Sequence, residues 1–560
     1  MGGDPTDAGR AAAIDSPTGR GRSTAPGLAE AALAAVVLAA IALRWRWLGV
    51  PLERDEGEYA YAGWLMLRGV PPYLGIYTMK LPGVHAVYAL GQALFGTTSS
   101  AVRLLHIAVN AATIIALGGL GRRWLGPWPG VFAAALFALL SAGRPVQGPF
   151  ANAEHFVLLP ALCGLWWLDR TLDRGGPGRL FAAGAIIGLA PLMKQSGAAF
   201  VIAALALVAI HGLRTKRPIA AIARIAAPLL AGAVAPALVT LALLAGVGAL
   251  GAFRHWAIDV AASYATKLST AASLAALRLR GGRVLAAAPL AWLLVVAGLA
   301  ACAGDRRLRP RVPELLTLAV CSVAGVSAGL YFRPHYFVLG LPAAALLAAA
   351  GLAWIARAAP AGALRAAVAV ALAMTAIAST AWVQRAYLFR LDGDGIARAT
   401  FGRNPFPEAP RIAAWLAERT TPDETIAVLG SEPEIYFLAG RRSATGFIYA
   451  YPMMEPRPGA ERMQRRMIEQ LEAARPAYVV YVAVAASWLR RPDSSATLQR
   501  WFDTQTRGEL TLVGLIEIDR TGSRFHWGAE ARVRPATPDW IAVFERAGRA
   551  APGGGPSALD

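Results

Sequence analysis

Long apolar stretches broken by short polar clusters recur from about residue 27 to residue 386 and then stop. Crossing the hydrocarbon of a bilayer takes about 20 apolar residues, and fewer where the membrane thins. On that measure the pattern predicts spans at 27–47, 101–120, 129–143, 152–169, 180–193, 197–213, 225–250, 284–303, 312–331, 336–356 and 366–386. The count is about eleven. The stretch 80–96, KLPGVHAVYALGQALFG, is short, opens with Pro82 and Gly83, and carries His85 and Gln92. It is read as an interfacial helix rather than a span.

Charge settles the topology. With 80–96 on the surface, the clusters Arg122/Arg123, Arg170/Arg174/Arg179, Arg214/Lys216/Arg217, Arg306/Arg307/Arg309/Arg311 and Arg357/Arg365 share one side with Arg20 and Arg22. The positive-inside rule makes that side cytoplasmic. Residues 48–100 then form a large external loop, followed by smaller external segments at 144–151, 194–196, 251–283 and 333–335. Everything after the last span is external too. The first apolar run, 28–43, ends at Arg44 and Arg46 without a small-residue cleavage site, which reads as a retained anchor.

The domain plan follows. Residues 1–26, rich in Gly, Pro, Ser, Thr and Arg, are expected to be a disordered cytoplasmic tail, and 27–387 a membrane domain. Residues 388–548 are expected to be a soluble extracytoplasmic domain, with 549–560 a flexible tail. Strand-length apolar runs at 425–429, 477–482, 510–518 and 540–544, with helical periodicity at 409–419 and 460–474, give that domain a small α/β architecture. The fold class is an α-helical polytopic membrane protein with a small C-terminal α/β domain.

Composition agrees with this reading. At 56% hydrophobic and 16% charged residues, with a mean hydropathy of +0.45, the chain is too apolar for a water-soluble enzyme. The net charge of +20 does not point to nucleic acid, because the arginines sit in clusters between spans rather than on one amphipathic face. Cys163, Cys302 and Cys321 fall within apolar runs and lack both disulfide and metal-ligand spacing.

Chemistry concentrates in LERDEGEYAYAGWLML, residues 52–67, where Glu53, Asp55, Glu56 and Glu58 follow the first span. Asp55 with Glu58 three residues on reads as a capping box for a surface helix. Asp55 also reads as a base held where a lipid-borne substrate presents its head group. Further along, Pro82 pushes Leu81 out of helical geometry, so Lys80 stands at the turn into the interfacial helix, at head-group depth. Its alternative role is a snorkelling lysine. Glu154 and His155 form an ionisable pair at the outer start of a span, a costly placement that suits either function or simple pairing. Lys194-Gln195-Ser196 and Arg333-Pro334-His335 make two polar outer hairpins, able to supply positive charge to a phosphate or to serve as interfacial anchors. Arg103 follows the large loop and is a further candidate phosphate contact. The segment 251–283, with Arg254, His255, Tyr264 and Lys267, could fold over the cavity.

The order Asp55-Glu56, Tyr59-Ala60, Gly69 to Tyr73, Lys80 to Pro82, Phe95-Gly96 and Ala101 to Arg103 resembles the GT-C glycosyltransferases. More narrowly, it is similar to the bacterial branch of the protein mannosyltransferase and aminoarabinose transferase superfamily. His335-Tyr336-Phe337 followed by Leu341-Pro342 extends the resemblance, which covers about residues 30–350. It implies a multispanning fold with its active site in the first external loop, a polyprenyl phosphate sugar donor, and inversion at the anomeric carbon. By position it implies Asp55 as catalytic carboxylate with Glu56 in support, and Lys80 on the donor phosphate. The chain has Lys80-Leu81-Pro82 where the aminoarabinose branch has Lys followed directly by Pro, so the reaction type carries over more firmly than the donor class.

Taken together, Lys80, Arg103, Lys194, Arg333 and His335 are the expected donor-phosphate residues, while Glu154 and His155 would orient acceptor or a cation. No cofactor is required. A divalent ion held through oxygen by Asp55, Glu56 and Glu154 stays open. Expected partners are the polyprenyl phosphate sugar, a lipid, glycan or protein acceptor, and membrane lipids. The rival readings are a transporter or lipid flippase, which should carry its ionisable groups near the midplane, and a membrane-tethered binding protein acting through its soluble domain.

Overall fold

The computed structural model of the protein describes residues 25–172, 175–262, 268–455, 459–519 and 522–548. The expected tails 1–26 (but for its last residues) and 549–560, along with Arg20, Arg22, Arg174, Tyr264 and Lys267, lie outside the described residues.

Helices stand at all the predicted spans. α1 (Ala25–Trp45) is the first; α2 (Arg54–Met66) and α3 (Pro82–Phe95) belong to the loop that follows it; α4 (Ser99–Leu125), α5 (Pro127–Leu140), α6 (Ala153–Thr171) and α7 (Pro177–Gly188) continue the bundle. Among the described residues, 7 helices are long and apolar enough to cross a membrane, and a bent pair raises this to 8. The other expected spans correspond to the shorter apolar helices Pro127–Leu140 and Pro177–Met193, and to α6, which is interrupted by Pro160 and begins with Glu154 and His155. The bent pair revises one expectation. Part of the expected loop 251–283 is the helix Thr270–Ala286, which meets Pro289–Gly304 at 102°. α3 also has 14 residues, but unlike Pro127–Leu140 it buries His85 and Gln92 and is not among the apolar helices, long or short, of the described residues.

Small residues let the helices approach closely. Gly184 and Gly188 of α7 lie against the backbone of Leu229 and Ala233 in the helix Ile219–Gly246, where a methyl group would collide. This is the usual route to tight packing in lipid, where burial of apolar side chains gains little. At one end of the bundle, arginines pair with carboxylates: Arg122 with Glu30 at 2.5 Å, Arg214 and Arg311 with Glu314, Arg123 with Asp169 and Arg357 with Asp305. Members of four of the predicted basic clusters are thus held in ion pairs.

The C-terminal domain carries a six-stranded sheet in the order β2-β1-β3-β6-β4-β5. β1 (Thr425–Leu429) runs parallel to β2 (Arg442–Ser443) and β3 (Tyr478–Ala483). β4 (Leu510–Ile518), β5 (Ser523–Trp527) and β6 (Trp540–Arg546) make up the antiparallel half. Four of these strands sit on the apolar runs seen in the sequence. β2 and β5 do not, since one is two residues long and the other carries Arg524 and His526 in place of an apolar run.

This domain sits directly on the loop between α1 and α4. Gly57 of α2 is pressed against Glu434 in the helix Glu434–Ala439, and a Cβ there would fall 2.5 Å from the Glu434 nitrogen. Tyr61 accepts a hydrogen bond from the Ser443 backbone N–H at 2.7 Å and packs against Tyr436. Tyr77 stacks on Trp256 at 4.6 Å, its hydroxyl accepts from Gln470, and its backbone N–H donates to the Gly446 carbonyl.

Candidate active site

α2 starts two residues earlier than the sequence suggests. The N-cap is Glu53, in extended geometry, and it forms a capping box with Glu56: each side chain accepts from the other's backbone N–H. The expected box of Asp55 with Glu58 is thus displaced by two residues. A Glu at the cap satisfies the same free amides as the usual Ser or Asp, and four acidic residues within the six positions 53–58 give the sequence two registers to choose from. The shift frees Asp55 to point away from the helix end.

Glu56 faces inward. It is fully buried and paired with both Nη atoms of Arg103, and it also accepts from the Ala151 N–H at 2.5 Å. Arg103 is itself buried, and its remaining N–H groups donate to the carbonyls of Val50, Pro51 and Pro149. Its donors are consumed inside the protein. The guanidinium ties the start of α2 to α4 and to the loop before α6, and does not present itself to a phosphate, contrary to expectation. Glu56 likewise does not face the cleft, and so cannot join Asp55 and Glu154 around an ion. Among the described residues no three His, Cys, Asp or Glu side chains come together as a metal site.

Asp55 faces outward. Its Oδ1 lies 3.1 Å from Lys80 Nζ, and the pair keeps a quarter to a third of its side-chain surface exposed. Burial pushes the Asp55 carboxyl up, but the Lys80 ammonium, with His335 and Lys194 beyond it, outweighs this and holds the group well below the usual carboxylate range. For Lys80 burial lowers the affinity for a proton, and Asp55, Tyr59 and Glu58 more than reverse that. The ammonium also donates to the Tyr59 hydroxyl at 3.3 Å, while the Tyr73 hydroxyl bonds to the Lys80 carbonyl at 2.8 Å and fixes the turn.

A second ion pair lies beside the first. Lys194 is bonded to the buried Glu154 and sits 3.5 Å over the ring of Tyr336. His335 approaches Glu154 to 4.0 Å and is anchored by Gln147 at 2.8 Å. The two hairpins read from the sequence therefore converge on the start of α6, bringing Glu154, Lys194 and His335 within electrostatic reach of Asp55. Arg333 lies next in the chain and stacks 5.8 Å from Tyr331. His155 does not join the cluster, because its ring packs edge to face on His106 at 4.3 Å inside the bundle.

Three further residues enter the site that the sequence does not assign to it. Glu58 is buried, accepts from Thr78, and has its other oxygen without a partner, so burial lifts its carboxyl to about 7 against the pull of Lys80. Thr78 holds Glu58 and accepts from the Lys80 backbone N–H at 3.0 Å. Tyr449, from the C-terminal domain, donates to Asp55 Oδ1 at 3.1 Å and also lies 3.0 Å from the Arg54 carbonyl. Its only sequence signal is the aromatic run Phe447-Ile448-Tyr449-Ala450-Tyr451 in a loop after β2. As a whole the site offers an ionised carboxylate backed by two ammonium groups, open on one side. It could take a proton from a hydroxyl and neutralise a phosphate.

Comparison with known proteins bears on the fold. Residues 80–240 match the family described as dolichyl-phosphate-mannose-protein mannosyltransferase. No curated protein matches in sequence. Among solved structures, ArnT from Cupriavidus metallidurans bound to undecaprenyl phosphate superposes with a TM-score of 0.59 at 17% identity, covering 95% of this chain and 100% of that one. The oligosaccharyltransferase of Archaeoglobus fulgidus gives 0.51 at 16% identity over 89% of this chain and 73% of its own. The mycobacterial arabinofuranosyltransferase AftD gives 0.50 at 17% identity over 92% and 39%. The GT-C fold that the motif order points to is the fold of this chain.

Proposed function

We propose that this protein of GT-C glycosyltransferase fold is an inverting glycosyltransferase that moves a sugar from a polyprenyl phosphate to a hydroxyl acceptor at the outer face of the cytoplasmic membrane. The observation that carries the proposal is the Asp55–Lys80 pair at 3.1 Å, standing with Lys194 and His335 where the external loop meets the bundle. Asp55 takes the proton from the acceptor hydroxyl as it attacks the anomeric carbon opposite the phosphate. The bond to the phosphate oxygen breaks and the electron pair leaves with polyprenyl phosphate. Phosphate departs without being protonated, so one carboxylate is enough, unlike the acid and base pair of glycoside hydrolysis. Lys80, with Lys194 behind it, offsets the charge that grows on the leaving oxygen, and His335, which burial pushes down to about 4, stands beside them as a neutral imidazole. Glu154 holds Lys194 in place for that task. ArnT was solved with undecaprenyl phosphate, which supports a carrier of this kind here.

The test is turnover. Purified protein in lipid is incubated with a panel of undecaprenyl phosphate sugars and hydroxyl acceptors, and released undecaprenyl phosphate is measured. Release that disappears in Asp55→Asn supports the assignment. A panel in which nothing turns over, or an Asp55→Asn protein that still works, removes it.

A further inference from the structure

The soluble domain does more than cover the loop. Tyr449 reaches Asp55 across a chain separation of 394 residues, and the segment that carries it is braced on several sides. The Ala450 N–H donates to Ser431 Oγ at 2.9 Å, and Ser431 in turn donates to the Ser487 carbonyl at 2.6 Å. The Tyr451 hydroxyl donates to the Ala486 carbonyl at 2.8 Å. Between Tyr451 and Phe406 lies the guanidinium of Arg54, 5.2 and 5.3 Å from the two ring centres, which donates to Glu432 at 2.9 Å, to the Ser431 carbonyl and to Asn404. Arg54 is the residue before Asp55. The domain therefore grips α2 on both sides of the carboxylate, by a guanidinium clamp and by a phenol.

We propose that Tyr449 is a positioning residue for Asp55: its hydroxyl fixes the carboxylate in the orientation that meets Lys80, so the active site is complete only with the soluble domain docked. This rests on the reading of Asp55 as the base. A carboxylate near one ammonium can swing about its own axis, and two donors on the same oxygen, Lys80 and Tyr449, oppose that swing while a quarter of the side chain stays exposed. A base works only within hydrogen-bond reach of the proton it removes, so loss of that orientation lowers the rate while leaving carrier binding to the lysines. The groups facing Asp55 are Glu53, Glu58 and Tyr59 from its own helix, Lys80 from the loop, Lys194 and His335 from the bundle, and Tyr449 and Tyr451 from the domain. Tyr449 is held as a neutral donor, because burial and the carboxylates of Glu58 and Asp55 push its ionisation far up.

The experiment uses the full chain in lipid and the undecaprenyl phosphate sugar that the wild type consumes. Tyr449→Phe keeps the ring and removes the hydroxyl. We expect kcat to fall about tenfold with KM for that sugar and affinity for undecaprenyl phosphate unchanged, and the thermal midpoint to drop only by the small amount that losing one hydroxyl's hydrogen bonds brings. Ser431→Ala, which loosens the same segment, moves kcat in the same direction by less. Added to Asp55→Glu, whose longer side chain displaces the carboxylate from the hydroxyl, Tyr449→Phe should cost little more. A Tyr449→Phe protein with wild-type kcat, beside an inactive Asp55→Asn, overturns this inference alone. An active Asp55→Asn overturns the assignment of the base instead. A loss in Tyr449→Phe that appears in KM or in undecaprenyl phosphate affinity gives the tyrosine a role in binding and also defeats the inference.

Discussion

Asp55 and Glu56 are neighbours on one turn of α2, both are carboxylates paired with a cation, and they have opposite fates. Glu56 is sealed: its oxygens meet Arg103 and the Ala151 amide, and nothing is left for a ligand. Asp55 is paired with Lys80 on an open face, with one oxygen held and the other unassigned. The difference teaches that a charge pair becomes chemistry only when its hydrogen-bonding capacity is not already spent. It also separates two kinds of arginine and lysine. Arg103, planar and five-fold donating, suits a buried knot, while Lys80, a point charge on a flexible stem, suits a group that must follow a moving phosphate.

That contrast can be broken at either end. The largest effect is expected from Asp55→Asn, which should reduce transfer by about 10³-fold or more, measured as released undecaprenyl phosphate. Next is Arg103→Met. It strands a buried carboxylate, and the thermal midpoint should report a loss of about 3 to 5 kcal/mol, much of it recovered when Glu56→Leu is added. If Arg103→Met instead keeps its midpoint and loses affinity for undecaprenyl phosphate, Arg103 is a phosphate ligand after all. Lys80→Met should cost about 3 kcal/mol in the barrier, or on the order of 100-fold in kcat/KM, while its stability changes little.

Glu58 gives the pH test. Its carboxyl is lifted to about 7 in the folded protein from an ordinary 4.5, so the folded state binds more protons than the unfolded state in that interval. Stability should therefore fall as pH rises from about 4.5 to about 7 and level off above it, by about 3 kcal/mol from this group. Glu53 and Glu434, also raised by burial, slope the same way, whereas Asp55 acts only at lower pH. Glu58→Gln should flatten the slope in a series of melts, and an unchanged slope would mean that Glu58 is ionised throughout. The smallest effect is expected from Tyr61→Phe, about 1 kcal/mol for the lost bond from the Ser443 amide.

Much of this was legible in the chain itself. Bilayer thickness writes itself into sequence as apolar length, so the spans show through, and the motif order places Asp55 and Lys80 in one loop. The hairpins at Lys194 and His335 were visible as polar interruptions, although only folding brings them to Glu154. What sequence reasoning could not resolve depends on register and on distance. Four acidic residues around one helix start leave the capping partner ambiguous by two positions, and with it the fate of Glu56. Arg103 reads as a free cation until the carbonyls of Val50, Pro51 and Pro149 are seen around it. Tyr449 has no local signal that links it to residue 55, because that link is made by the docking of one domain on another.

The glycine at position 57 carries a consequence for how such a protein can diversify. Its seat on Glu434 leaves no room for even a methyl group, and helix and domain meet there as two machined surfaces do. A domain so seated has no freedom to slide by a residue along the helix. New acceptor preferences would then have to arise by exchanging side chains on a fixed frame, with the frame itself inherited unchanged.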